Sequence, residues 1–191
     1  MKPSNFYLTL SATLGAAFAI SAGVFANVLV DVTLQGETFT VCSPSAAEAL
    51  RNWDSHISAD EKKNRVLQKE VDFLTDEANK ILANKILDGA TIETLDILAD
   101  RIDSARLPLS HFFAQTNKRD EAMSSEIITR ARRGIYSSEC EESEMEALGN
   151  LSERTTSLMI AANSASSRLL SSNSYLNVLR LKAGLRETGG R

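Results

Sequence analysis

Proline is almost missing from this chain of 191 residues: Pro3, Pro44 and Pro108 are the only three. Long helices are therefore permitted nearly everywhere, and a turn-rich β architecture is disfavoured. Aromatic residues make up only 6 % of the chain, too few for the core of a β-sandwich. Histidine occurs twice, at His56 and His111, and cysteine twice, at Cys42 and Cys140. Four residues this far apart lack the ligand spacing of a structural metal site, and no Cys-x-x-Cys pair is present. The net charge of −4 argues against a general nucleic-acid binder. Gly-rich phosphate loops, metalloprotease helices and nucleophile elbows are all absent from the sequence, so no enzymatic chemistry is expected.

Long hydrophobic runs are also scarce: there is one, Phe6 to Ala26, behind the positive Lys2. A single run excludes a polytopic membrane protein. Thr9, Ser11, Thr13, Gly15, Ser21 and Gly23 dilute it, and Val24-Phe25-Ala26 closes it with a cleavage-like site. Residues 1–26 are therefore expected to be an export signal, with an uncleaved anchor over residues 6–26 as the competing reading. Export gives a periplasmic or secreted location and makes Cys42 and Cys140 an expected disulfide. That bridge would close a loop of about 100 residues, stabilising the fold by ~4–5 kcal/mol in the chain-entropy model.

What remains is rich in Ala, Leu, Ser, Glu and Arg, the composition of helices. Residues 27–42 read as a short β-hairpin: two β-branched arms, ending at Leu34 and Val41, around Gln35-Gly36-Glu37. Ser43-Pro44 opens the helical part as cap and first turn. Trp53, the only tryptophan, is expected to anchor a core. A turn is expected at His56 to Ser58, where Ser58-Ala-Asp-Glu61 has the form of a capping box. The next helix carries Leu67, Val71, Leu74, Ala78 and Ile81, and Asp88-Gly89 stops it. Thr91 caps a third helix, which Pro108 is expected to end or kink near Arg106. A fourth stretch runs from Leu109 to about Tyr136. The last helix is the clearest: Leu148, Leu151, Thr155, Leu158, Ala162, Ala165, Leu169, Ser172, Leu176 and Leu179 keep strict three-four spacing. Small residues in the middle of that seam imply close helix approach. The expected fold is all-α: an elongated antiparallel helical bundle or coiled-coil hairpins over residues 43–186, with a short N-terminal β-hairpin and a flexible tail at 187–191.

Charge is distributed in blocks. From Asn27 to Asn150 there are 14 Lys/Arg against 23 Asp/Glu; from Leu151 to Arg191 there are six against two. Either the basic last helix packs along acidic neighbours, or Arg180, Lys182, Arg186 and Arg191 meet an anionic partner or membrane surface. The acidic run around Cys140, with Glu139, Glu141, Glu142, Glu144 and Glu146, reads as a helix N-terminus or as a patch for a basic partner. Its spacing is not that of a calcium loop. Glu93, Asp96, Asp100 and Asp103 share one helix face, which reads as solvated. Asn150-Leu151-Ser152 is a glycosylation sequon that matters only in a eukaryotic secretory host.

The expected function is that of an exported, non-enzymatic helical protein acting through protein–protein contacts, with its own copy among the candidate partners and no nucleic acid. The interaction candidates are Arg180, Lys182, Arg186, Glu141, Glu142 and Glu144, and no cofactor is expected. In organisation alone, a signal followed by a strand and long helices resembles periplasmic holdase chaperones. A weak signal before a small disulfide-bonded helical domain resembles phage antiholins. No diagnostic motif of either aligns, so neither resemblance assigns a role to any residue. A cofactor- or metal-binding bundle, using His56 or His111 with Met123, Met145 or Met159, is the third reading.

Overall fold

The computed structural model describes residues 28–83, 92–132 and 138–189, with the side chains of residues 130–132 and 184–189 left out of the description. The export segment, the Asp88-Gly89 stop and the Thr91 cap lie outside the described residues. Five elements follow one another: β1 (Val30–Leu34), β2 (Glu37–Val41), α1 (Pro44–Ala83), α2 (Ile92–Arg132) and α3 (Glu139–Gly189).

The strands pair antiparallel, with Val32 opposite Phe39 and Leu34 opposite Glu37. A two-residue loop must turn the chain with left-handed twist at both positions, and Gln35 (φ 50°) and Gly36 (φ 93°) supply it. Val32, Leu34, Phe39 and Val41 face the helices and are buried. The outer face is polar and locally bonded: Thr33 and Thr38 hydroxyls lie 3.2 Å apart, and the Thr40 hydroxyl donates to Asp31 at 2.8 Å.

Ser43 caps α1 as its sequence predicts: its hydroxyl accepts from the Ala46 N–H at 3.1 Å. The expected turn at His56 to Ser58 is not there, because α1 runs unbroken through it. Ile57, fully buried, explains why: it continues the seam from Leu50 towards Val71, and packing outweighs the local capping pattern. Pro108 likewise fails to end α2, which stays helical on both sides of it. The ring costs one backbone bond, from residue 108 to the carbonyl of Ser104, and both residues are exposed so that water reaches the orphaned group. Buried Ile102 and Leu109 hold the helix on either side. Among the described residues, the expected five helices are thus three. α3 begins at Glu139, earlier than the leucine seam suggested, and stays helical to Gly189, beyond Glu187 where the tail was expected to start.

These helices, 40, 41 and 51 residues long, form an elongated antiparallel bundle with the hairpin at one end. α3 packs against both other helices, which touch one another less. The core is two clusters stacked along the bundle. One joins the hairpin residues, Leu50 and Ile57 of α1, Phe112 and Met123 of α2, and Leu148, Leu151 and Leu158 of α3. The other joins Val71, Leu74 and Ala78, then Leu95, Ile102 and Leu109, then Ala165, Leu169 and Leu176. Half-buried Leu67 packs on both clusters, and half-buried Trp53 packs on the first, as a core anchor. α1 and α3 therefore start together at the hairpin end and run the same way, while α2 returns. Two buried seam hydroxyls are satisfied inside their own helices: Thr116 donates to the Phe112 carbonyl and Thr155 to that of Leu151, each at 2.9 Å.

Candidate functional site

The hairpin end is bound covalently. Cys42, just before α1, and Cys140, in the first turn of α3, form a disulfide across 98 residues, with Cα atoms 5.2 Å apart. The acidic run lies at the start of α3, with Glu139, Glu141 and Glu142 in its first turn, where the helix dipole favours negative charge. Glu144 faces inward instead. It is 6 % exposed, and its carboxylate accepts the Cys42 N–H at 2.8 Å. A carboxylate buried against the fold's own backbone is not displayed to a partner, so Glu144 leaves the set of interaction candidates. The Ser143 hydroxyl accepts the Thr40 N–H at 3.0 Å. α3 thereby takes up part of the outer edge of β2. On β1, Arg51 donates to the Asp31 carbonyl at 3.3 Å. The hairpin edges, natural places for strand addition, are thus used in part within the chain.

About three turns further along α3, Arg154 reaches α1. Its Nε donates to Glu61 at 2.9 Å, Nη1 to Asp54 at 2.5 Å and Nη2 to Ser58 at 3.3 Å. The Gln35 amide oxygen, turned towards it, accepts at 2.8 and 3.1 Å. Ser58 and Glu61, the expected capping box, thus bind sideways to another helix. Burial opposes the charge on Arg154, but the hydrogen bonds and charges of Glu61 and Asp54 outweigh it and raise its pKa above the ordinary arginine value. Arg119 of α2 pairs with Asp60 of α1, and burial lowers its pKa. A hollow of about 450 Å³ opens beside Arg154, lined by Gln35, Glu61, Asn64, Asn150 and Glu153. Every donor group of Arg154 already has a partner in the fold, so this cluster fastens helices. The sequon residue Asn150 stands in helix, and its amide donates to Glu37 at 3.1 Å.

The basic half of the chain meets the acidic half within the fold. Arg168 donates to Asp72 at 2.7 Å, Arg180 lies 2.5 Å from Asp96, and Asn173 donates to Asp103 at 2.9 Å. Two members of the acidic row on α2 are thus bonded to α3. Among the six interaction candidates, Arg180 is engaged, Lys182 and Glu142 are exposed, Glu141 is half-buried, Glu144 is buried, and the Arg186 side chain lies outside the described residues. The acidic and basic candidates do not come together: Glu142 stands at the hairpin end and Lys182 at the far end of α3. His56 and His111 are exposed on different helices, and no group of three metal-ligating side chains occurs among the described residues. No helix among the described residues is long and apolar enough to cross a membrane.

The least expected surface is the outer face of α3. From Thr155 to Leu179 the only charged side chain is Arg168, and it is paired with Asp72. With Leu158, Ala165, Ser172 and Leu179 as one core column and Thr155, Ala162, Leu169 and Leu176 as the other, three columns point away from the bundle. They are Ile160-Ser167-Ser174-Leu181, Asn163-Leu170-Asn177 and Ser164-Ser171-Val178. A solvent-facing helix normally carries its charges there. Here there are none, and Ile160, Leu170, Val178 and Leu181 are between 49 % and 70 % exposed. The corresponding column of α1 is Lys62-Lys69-Asp76. From the sequence, the Ala/Ser-rich stretch Met159 to Ser174 reads as a tight helix–helix contact rather than a membrane-active helix. That its outer side stays uncovered is visible only when the seam's register is extended to the opposite face, a step sequence reasoning did not take. It overlooked Arg154 because a lone arginine in a helix carries no motif.

Compared with known proteins, the chain matches no protein family, no curated protein and no solved structure.

Proposed function

We propose that this is an exported, non-enzymatic helical protein that works by protein–protein contact, a disulfide-fastened bundle presenting the outer face of α3. That uncharged face, with four large apolar side chains in water, is the observation that carries the reading. The disulfide supports an oxidising compartment, in agreement with the export signal expected in residues 1–26. The ion pairs of Arg154, Arg168 and Arg180 support contact through this face rather than through displayed charge, because they are closed within the bundle.

Photo-cross-linking in the producing cell tests the reading. A photoreactive residue at Leu170 should yield protein adducts, and one at Lys69, on the charged face of α1, should not. Equal labelling from both positions, or none from either, would remove the proposal.

A further inference from the structure

We infer that the outer face of α3 takes a second copy of this chain, packed antiparallel about a two-fold axis between Leu170 and Ser171. This deepens the contact role proposed above and rests on it.

The face is complementary to its own reversal. Turned end for end about that axis, the column Ile160-Ser167-Ser174-Leu181 falls on itself, with Ile160 over Leu181 and Ser167 over Ser174. The two flanking columns exchange: Leu170 lies over Ser171, Val178 over Asn163, and Asn177 over Ser164. Large residues meet small ones in the middle, and apolar pairs close both ends. A self-complementary patch is what a two-fold homodimer interface requires.

Charge selects both the occupant and the direction. A partner surface of ordinary composition would bury charges against a face that offers no counter-charge, at a desolvation cost. A second copy brings none. In a parallel pair Arg180 would stand beside Arg180 and Lys182 beside Lys182. Antiparallel pairing places Arg180 at the level of Ala161 and Lys182 at the level of Met159. Arg168 lies at the border of the face and keeps Asp72 as its counter-ion at 2.7 Å.

The extent of the face sets the strength. From Ile160 to Leu181 the helix is roughly 32 Å long and about 10 Å wide, or some 600–700 Å² over two copies. That is about half of what a stable dimer buries, so the pair exchanges with monomer in a concentration-dependent way.

Sedimentation equilibrium of the purified full chain, carried into the submillimolar range, tests the association. Monomer should give way to dimer, and Leu170→Lys should weaken association at least tenfold with helical circular dichroism unchanged. Ile160→Lys, at the rim of the face, provides the same test should the first variant fold poorly. Direction is tested by oxidation of cysteine variants. Ser167→Cys and Ser174→Cys should cross-link when mixed and not separately, since each lies roughly 10 Å along the axis from its own copy. A monomer throughout the range, dimerisation indifferent to both lysines, or cross-linking of each variant with itself would each overturn the inference. A monomeric chain that still gives adducts with another protein from Leu170 in the cell would overturn it while leaving the contact role standing.

Discussion

Leu169 and Leu170 are neighbours in sequence and opposites in the fold: the first is fully buried in the far core cluster, the second half exposed on the outer face of α3. They stand about 100° apart on one helix. Leu169→Ala should cost ~2–5 kcal/mol through lost burial and the cavity left behind. Leu170→Ala should cost less than ~0.5 kcal/mol. Urea denaturation at a concentration where the chain is monomeric separates the two. Equal costs would mean that the register of α3 is wrong.

Arg154 provides the second test. Its removal leaves Asp54 and Glu61 half-buried on one helix with no counter-charge, so Arg154→Ala should destabilise by about 3 kcal/mol. Arg168→Ala breaks an exposed pair and should cost less than about 1 kcal/mol. The loss at Arg168 should shrink further in high salt; the loss at Arg154 should change little.

Replacing Cys42 and Cys140 by serine should lower stability by roughly 4 kcal/mol, because the unfolded chain regains the freedom of a loop closed across 98 residues. The change is read by denaturation of the variant against the parent under non-reducing conditions. The hairpin should suffer first, since the Cys42 N–H and the Thr40 N–H both bind side chains of the segment that the bridge holds in place.

Pro108→Ala should stabilise the protein by about 1–3 kcal/mol, by restoring the bond to the Ser104 carbonyl within a helix that is already formed. A raised melting temperature is the expected reading. A lowered one would show that α2 depends on the proline.

The all-α fold, the hairpin, its turn at Gln35-Gly36, the Ser43 cap and the Cys42–Cys140 bridge were all legible in the sequence, because each rests on local chemistry or on compartment. The helix boundaries were not. The Ser58-to-Glu61 pattern and Pro108 are strong local signals for a break, and Ile57, Ile102 and Leu109 override them by continuing an apolar seam whose partners lie far off in the chain. The charge asymmetry was visible, but its resolution was not. That Arg154 answers Asp54 and Arg180 answers Asp96 depends on which helix lies beside which, and spacing within one helix carries no such information.

The bridge fastens the beginnings of two helices that run side by side in one direction, so the bundle is tied covalently at its hairpin end. At the other end Leu169 and Leu176 are held against Val71, Leu74 and Leu95 by packing, with Arg168–Asp72 and Arg180–Asp96 across the helices. A reductant therefore acts on one end alone: it removes the tie beneath the hairpin and leaves every contact of the far cluster in place.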